Sequence, residues 1–443
     1  MLLVSKFGGS SLSSASQFEK VKNIVSSDPN RRVIVVSALG KRQTSDNKLT
    51  DLFYSVYENL SQSSYYEKLW QEIVMRFMSV KEELNLSYDV GAELEKIQAG
   101  LATRTLTLDY LVSRGEYLTA KLMSEYLGYE FYDAKDLIIF NKQGEIDLEE
   151  SYQRLSTAIP LDGKAIIPGF YGAYPGGEIK LFSRGGSDIT GAIVAAGLKA
   201  AKYENFTDVP GVLMADPRII NDPLAIPKLT YDEMSRIAYM GAEVLHRKSV
   251  YPVKRAGIPI HIRNTNDPTA EGTLICQQKS TDVPSLTGFF GKKDYTFFTL
   301  YKNRASAEIG FMRQVLEIFE SYKINVEQSL MCIDQVGILV SAIDVKYCID
   351  KVLVDLKEKL NVLDVEIKED FSLIAIFGCG VINDPDFLER VFRALKEAEI
   401  KTSLIEQSPR GMNLVIGVEN KDYVPAIRAL YEGLVRRAKN EIT

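Results

Sequence analysis

The chain has 443 residues, a formal net charge of -6, 46% hydrophobic and 25% charged residues. These values fit a soluble globular protein of two or three domains, and they exclude disorder, a fibrous repeat and an electrostatic footprint for nucleic acid or an anionic membrane. No apolar stretch reaches the roughly 18 residues of a membrane span and the first five residues are too short for a secretory core, so a cytoplasmic setting and small-molecule partners are expected.

Residues 2–4 and 32–38 (RVIVVSA) are apolar, β-branched runs that predict buried parallel strands. Phe18, Val21 and Val25 give residues 15–25 a helical spacing between them, so the chain opens on a βαβ unit. At the end of the first strand stands Lys6-Phe7-Gly8-Gly9-Ser10-Ser11. Adjacent glycines let backbone N–H groups approach phosphate oxygens, a helix start adds a favourable dipole, and a lysine neutralises charge on a transferred phosphoryl group. The motif is not a GxxxxGK[ST] loop, and an ordinary tight turn accounts for these six residues equally well.

Residues 46–127 carry mostly helical spacing and are predicted to pack against the sheet. Strands are expected at 165–168 and 179–182, followed by a small-residue helix at 191–201. Between them Ser183-Arg184-Gly185-Gly186-Ser187-Asp188 repeats the glycine pair at a second strand-to-helix turn. Arg184 suits bidentate binding of a carboxylate and Asp188 suits anchoring lysines, although a helix cap would use the same residues. Thr207 to Val212 and Ala215 to Arg218 form two turns around an apolar step, either a scaffold for nucleotide contacts or a surface loop. Turn formers cluster at 264–272 and 277–284, which places a domain boundary near residue 285.

Beyond it, elements recur about 76 residues apart, as Tyr295 against Phe371. Strand 295–301, helix 309–322, strands 325–332 and 336–343 and helix 346–360 are echoed by 371–377, 385–398, 401–407, 412–418 and 423–434, each copy reading βαββα. Residues 362–367 can close the first copy, but nothing after Leu434 closes the second, so the copies are expected to share strands or to be unequal. Four cysteines (Cys276, Cys332, Cys348, Cys379) without a CxxC pair are expected as reduced thiols, mostly in cores. With only His246 and His261 present, chemistry must run on Lys, Arg, Asp, Glu and backbone donors.

Taken together, KFGGSS, VVSA, RGGSD and TDVPG followed by DPR resemble the amino-acid kinase family, and within it the aspartate kinases, over nearly the whole chain. The resemblance implies a three-layer αβα catalytic domain at 1–285, then two ferredoxin-like ACT domains at 294–370 and 371–443, with no dehydrogenase domain after Thr443. The implied reaction moves the γ-phosphoryl group of ATP, with Mg2+, to the β-carboxylate of L-aspartate, the first step towards lysine, threonine and methionine. Lys6, Asp188 and Arg184 would be catalytic. Ser37, Thr44, Glu116, Arg184 and Ser187 would hold the amino acid, Glu116 meeting its ammonium group, with Thr44 and Ser45 both available for one family threonine. Lys6, Gly8, Gly9, Ser10, Thr207, Asp208, Asp216 and Arg218 would hold ATP. No protein-held metal cluster is implied. Gly310, Phe311, Met312, Asn325, Val326 and Glu327 would form a feedback site, with lysine the leading effector, and the ACT pair would make a homodimer or homotetramer.

One departure stands out: relatives place a lysine of GAKVLHP near the ATP phosphates, where this chain has Glu243 in GAEVLHR, so Arg247 or Lys248 would have to replace it or Glu243 turn away. Two rival readings are a kinase of the same fold acting on glutamate or an acetylated amino acid, and a non-catalytic amino-acid sensor. The ACT pair and Glu116 argue against the first, and the intact Lys6, Arg184 and Asp188 against the second.

Overall fold

The computed structural model describes residues 1–61, 63–183, 185–242, 245, 247–278, 285–379, 384–407 and 413–437. The chain forms two compact units: Met1–Leu213 with Ala225–Ser280, and Met214–Leu224 with Thr281–Thr443. Residues 214–224, which include Asp216 and Arg218, therefore fold with the second unit.

In chain order the first unit runs β1 (Leu3–Phe7), α1 (Ala15–Ser26), β2 (Arg31–Val36), then helices α2 (Leu49–Glu58), α3 (Ser63–Glu83), α4 (Val90–Ala102) and α5 (Leu108–Leu127). Next come β3 (Glu130–Phe131), the single turn α6 (Ala134–Leu137), β4 (Ile139–Phe140), β5 (Ile146–Asp147), α7 (Leu148–Ala158), β6 (Ala165–Pro168), β7 (Tyr171–Ala173) and β8 (Ile179–Leu181). It continues with α8 (Gly186–Gly197), β9 (Lys202–Thr207), β10 (Lys228–Thr230), α9 (Tyr231–Tyr239), α10 (Arg247–Ala256), β11 (Ile260–Asn264) and β12 (Thr273–Cys276).

Among the described residues an eight-stranded sheet has the order β10-β12-β11-β9-β1-β2-β6-β3. Its central run from β11 to β6 is parallel, and only β11 and β12 pair antiparallel. Alternation along β1 assigns the faces. Ser5 donates to Glu204, which also receives Arg31, and Arg31 in turn donates to carbonyl Ile24 of α1, so this face carries α1. Lys6, one residue on, points the other way and pairs with Asp188 of α8. α5 lies on the first face against β2, β3 and β6, while α7 and α10 flank α8 on the second. This gives three layers.

Several details differ from the sequence expectation. Of the helices in 46–127, α5 sits on the sheet, whereas α2, α3 and α4 stack on α5 and on one another. β8 joins β5, β4 and β7 in a separate four-stranded sheet rather than the main one. α8 starts at Gly186, within the glycine motif, and ends at Gly197 instead of spanning 191–201. The glycine turn after β1 leads into a short 3-10 turn, Gly9–Leu12, and α1 begins only after Ser14, whose hydroxyl accepts the Gln17 N–H. β9 was not anticipated at all. Its Glu204 and Asn205 are both buried at 2% exposure, in the kind of central strand that is normally apolar. Burial pushes the Glu204 carboxyl up, but Arg31, Ser5 and Arg263 outweigh it and hold it below the usual range.

The second unit runs β13 (Ser285–Tyr301), α11 (Phe311–Ser321), β14 (Val326–Met331), β15 (Gln335–Ser341), the short α12 (Ala342–Val345), α13 (Ile349–Leu360) and β16 (Asp364–Cys379). It ends with α14 (Pro385–Glu397), β17 (Leu404–Gln407), β18 (Asn413–Glu419) and α15 (Tyr423–Tyr431). All six strands make one sheet, β14-β15-β13-β16-β18-β17. β13 and β16 are long antiparallel strands whose register shifts between Lys292 and Phe297. Past that break Tyr295 to Tyr301 pairs with β15, as the first repeat requires. Before it Ser285 to Lys292 pairs with Leu373 to Cys379, next to β18 and β17. The strand missing after Leu434 is thus present at the beginning of the unit, and the repeats do share strands. α11 and α13 cover the first repeat, with Phe298, Phe311, Phe319, Val340 and Leu356 fully buried between sheet and helices.

The cysteines are not mainly core residues: Cys276 and Cys348 are half-buried and Cys332 is exposed, while the side chain of Cys379 lies outside the described set. No helix among the described residues is long and apolar enough to cross a membrane.

Candidate active site

The parallel strands β1, β2, β9 and β11 all end on one edge of the sheet, where open α/β sheets hold their ligands. Two adjoining cavities lie there, of about 940 Å3 and about 600 Å3, and they share Ser37, Lys48, Thr50 and Glu116. The larger is lined by Lys6, Ser183, Gly185, Gly186, Ser187 and Asp188. The smaller is lined by Gly9, Ser10, Gly40, Thr44 and Asp208. One edge therefore brings together both glycine turns.

Lys6, 7% exposed, places Nζ 2.6 Å from Oδ1 of Asp188. The same oxygen accepts the Asn205 side-chain amide at 3.0 Å. Gly185 adopts φ 74°, which turns the chain into α8 and leaves Ser187 and Asp188 in its first turn, where a carboxylate is favoured by the helix dipole. Arg184 lies outside the described residues, as do Glu243 and His246.

Glu116 projects from α5 and is buried, 3% exposed. The Ala38 N–H donates to its carboxylate, yet Oε2 has no partner. Burial pushes this carboxyl up to about 8, a shift that Ala38 and Arg114 only partly oppose. An orphaned carboxylate oxygen on a cavity-lining residue is a candidate partner for a cation or an ammonium donor.

The remaining predicted residues divide. Ser37 lines both cavities while its own N–H donates to the Phe7 carbonyl. Thr44 lines the smaller one, and Ser45 is not among its lining residues. The Gly8 N–H is committed to the Phe206 carbonyl at 3.0 Å, so this residue offers no amide to a ligand, whereas Gly9 and Ser10 line the cavity. The Thr207 hydroxyl donates to Asp208. Asp216 and Arg218 pair with each other at 2.7 Å in the second unit.

Sequence reasoning missed Lys48, Thr50, Asp51 and Tyr54, which enter the larger cavity from the first turns of α2. Their only signal was position, just after the loop carrying Thr44. That loop is held by Asp46, which accepts the Arg42 N–H and guanidinium at 3.0 Å and lies 3.7 Å from Arg76. The Arg42 hydrogen bond, more than any other contact, holds the Asp46 carboxyl down at about 2.

In the second unit Gly310, at φ 84°, caps α11. Phe311 is fully buried in the core of the first repeat and its N–H donates to the Glu308 carbonyl at 3.2 Å, while Met312 and Val326 pack partly buried against that core. Asn325 donates to Glu327 at 3.3 Å.

The model of the amino acid kinase family matches residues 1–264, and that of an ACT domain matches residues 374–434. With the sheet, the glycine turns and the strand-sharing repeats, this shows that the chain belongs to the amino acid kinase family. It is 34% identical over 446 residues to aspartokinase 3 of Bacillus subtilis, covering 97% of this chain and 98% of the relative. The solved aspartate kinase of Clostridium acetobutylicum, described as an allosteric enzyme, superposes with a TM-score of 0.92 at 38% identity, over 98% of this chain and 100% of that one. Aspartokinase III of Escherichia coli, solved with aspartate and ADP in its R-state and with lysine and aspartate in its T-state, superposes with TM-scores of 0.78 and 0.75, each at 25% identity, over 98% of this chain and 100% and 99% of those chains. Within the family the chain is an ATP-dependent aspartate kinase, an α/β catalytic domain followed by ACT-like ferredoxin folds.

Proposed function

We propose that the paired cavities hold L-aspartate and ATP so that an oxygen of the aspartate β-carboxylate attacks the γ-phosphorus in line. A new O–P bond forms, the bond from that phosphorus to the β,γ-bridging oxygen breaks, and 4-phospho-L-aspartate and ADP result. The observation that carries this reading is that one cavity is lined both by the buried Lys6–Asp188 ion pair and by Glu116, whose buried carboxyl keeps Oε2 without a partner. Glu116 takes the substrate ammonium, with Ser37, Thr44 and Ser187 around the rest of the molecule. A carboxylate nucleophile is already ionised near neutrality, so no general base is needed and catalysis reduces to alignment and charge stabilisation.

Lys6 neutralises charge that builds on the transferred group, and the amides of Gly9 and Ser10 face the triphosphate. Asp208 and Thr207 sit on the nucleotide side. The clamp role of Arg184 rests on sequence alone, as do the nucleotide contacts of Asp216 and Arg218. Mg2+ suits this site as the companion of ATP. Among the described residues no three ligand side chains converge, so phosphate oxygens and water would fill most of its shell, with the cavity-lining Asp208 as the available carboxylate. When bound, the ion neutralises phosphate charge.

The ACT repeats, proposed at 294–370 and 371–443 with residues 285–292 completing the second, are read as a feedback module in a cytoplasmic enzyme at the head of lysine, threonine and methionine synthesis. Lysine is the proposed effector, supported by the lysine-bound T-state of the Escherichia coli relative. Its site would comprise Gly310, Phe311, Met312, Asn325, Val326 and Glu327. Among the described residues β14 ends the sheet with an open edge, and Met331 and Ile333 are exposed beside it, which favours assembly of two or four copies through this unit.

The test is acyl-phosphate trapping with hydroxylamine across a panel of amino acids. Aspartate should give the strong signal; turnover of glutamate without aspartate would overturn the assignment. Thermal-shift measurements with lysine, threonine and methionine identify the effector, with lysine expected to raise the melting temperature most.

A further inference from the structure

Asn205 has no assigned part in the reaction, yet its placement is unusual. It is 2% exposed in β9, the strand next to β1, and in the parallel register it stands opposite Lys6, so the two side chains leave the same face of the sheet. A carboxamide in a central parallel strand carries a desolvation cost that a valine or isoleucine would not. Its amide is spent on one atom, Oδ1 of Asp188, at 3.0 Å, and that is the atom 2.6 Å from Lys6 Nζ. Two residues earlier on the same face, the Tyr203 hydroxyl donates to the main-chain carbonyl of Asp188 at 3.2 Å. β9 therefore fixes Asp188 twice, once by its backbone and once by its carboxylate.

We infer that Asn205 is a positioning residue of the phosphoryl transfer: by holding Oδ1 of Asp188 it sets the place of the Lys6 ammonium. Lysine is a compact charge on a flexible four-carbon stem, so its location is only as definite as its anchor. The Asp188 carboxylate can itself rotate about its side-chain bonds. The amide of Asn205 removes that freedom from the oxygen that matters. Displacement of a catalytic charge by about 1 Å is enough to slow an in-line transfer strongly. Substrate affinity is a separate matter, since Asn205 lies behind Asp188 and lines neither cavity.

The inference rests on the role proposed above for Lys6, so the experiment includes that role's own control. Asn205→Leu, which keeps the branched shape and the heavy-atom count and removes the donor, and Asn205→Ala are compared with Lys6→Ala and Asp188→Ala in the full-length enzyme. Asn205→Leu is also made in the Asp188→Ala background. For each, kcat per folded molecule, KM for ATP and for aspartate, and the melting curve are measured. We expect both Asn205 variants to lose kcat roughly ten- to thirtyfold with each KM changed less than about threefold, and the Leu change to cost nothing further once Asp188 is gone. A kcat within about twofold of the parent in either folded Asn205 variant, or an undiminished loss in the Asp188→Ala background, overturns the inference. Should Asn205→Leu not fold, Asn205→Ala alone decides by the same limits, and failure of both to fold makes the residue structural and likewise overturns it. Near-normal kcat in Lys6→Ala instead sinks the reading of Lys6 itself.

Discussion

Gly9 and Gly40 meet backbone to backbone: a Cβ on Gly40 would stand 2.1 Å from the Gly9 carbonyl oxygen. The loops after β1 and β2 are thereby held against each other at the mouth of the smaller cavity, with no side chain between them. Gly40→Ala must push one loop away, because the obstructing atoms are main chain and cannot rotate aside. The expected result is a fall in kcat/KM for ATP of at least about tenfold in a protein that still folds, measured by steady-state kinetics beside a thermal melt.

Removal of the buried ammonium should be more severe. Lys6→Ala is expected to cut turnover at least about a hundredfold, while calorimetry shows effector binding in the second unit intact. Asp188→Ala should follow it closely in kcat, since the two charges act as one unit.

Glu116 makes the unliganded enzyme sensitive to pH. Its carboxyl, pushed up to about 8 by burial, is mostly protonated at neutrality and must ionise to receive an ammonium group. The KM for aspartate should therefore fall as pH rises towards about 8, and flatten above it. For stability the sign is opposite: with the folded pKa above the unfolded one, the folded state holds the extra proton, so this group's contribution is complete below the unfolded pKa and is lost as pH rises through about 8. Glu116→Gln should raise KM and abolish both dependences; a KM profile unchanged in the variant would remove Glu116 from substrate binding.

Asp46 behaves in the reverse sense. Held down at about 2 chiefly by Arg42, it contributes stability that is present above the unfolded value of 3.8 and lost as pH falls through about 2. Asp46→Asn should free the loop that carries Thr44. Faster tryptic cleavage at Arg42 and a several-fold higher KM for aspartate are the expected signs, the latter in the range of about three- to tenfold.

Much of the catalytic unit could be read from the sequence because its signals are local. Apolar runs named β1 and β2, and a glycine pair beside Lys6 or Asp188 announces a tight approach whatever lies opposite. β9 escaped because Glu204 and Asn205 look like surface residues; Arg31, Ser5 and Arg263, brought from other strands, make Glu204 a tolerable interior group. Lys48 and Thr50 escaped for a related reason, since helix spacing says which face is buried but not which cavity a first turn overlooks. The Gly8 amide looked available until β9 supplied the Phe206 carbonyl that takes it. In the second unit the repeat period is visible in the chain, but the strand at 285–292 is not legible as part of the second repeat because its partner, 373–379, lies a whole repeat away in sequence.

That strand can be tested directly. A Cβ on Gly291 would lie 2.3 Å from the Leu373 carbonyl oxygen, so Gly291→Val should part the first half of β13 from β16. Hydrogen exchange is expected to quicken in residues 371–379 and 413–419 while residues 336–340, paired to the other half of β13, keep their protection. Equal loosening of both groups would mean that the repeats open as one.

Shared strands also impose an order on synthesis. Residues 285–292 leave the ribosome first among the strands of this unit, but their partner, 373–379, follows only after the whole first repeat has been made. The nascent chain must therefore carry an unpaired, phenylalanine-bearing strand through the folding of about one ACT repeat, a long-range closure of the kind that slows folding and invites wrong pairings. The first repeat, complete in itself apart from the start of β16, can form in that interval and serve as the template on which the second is later finished.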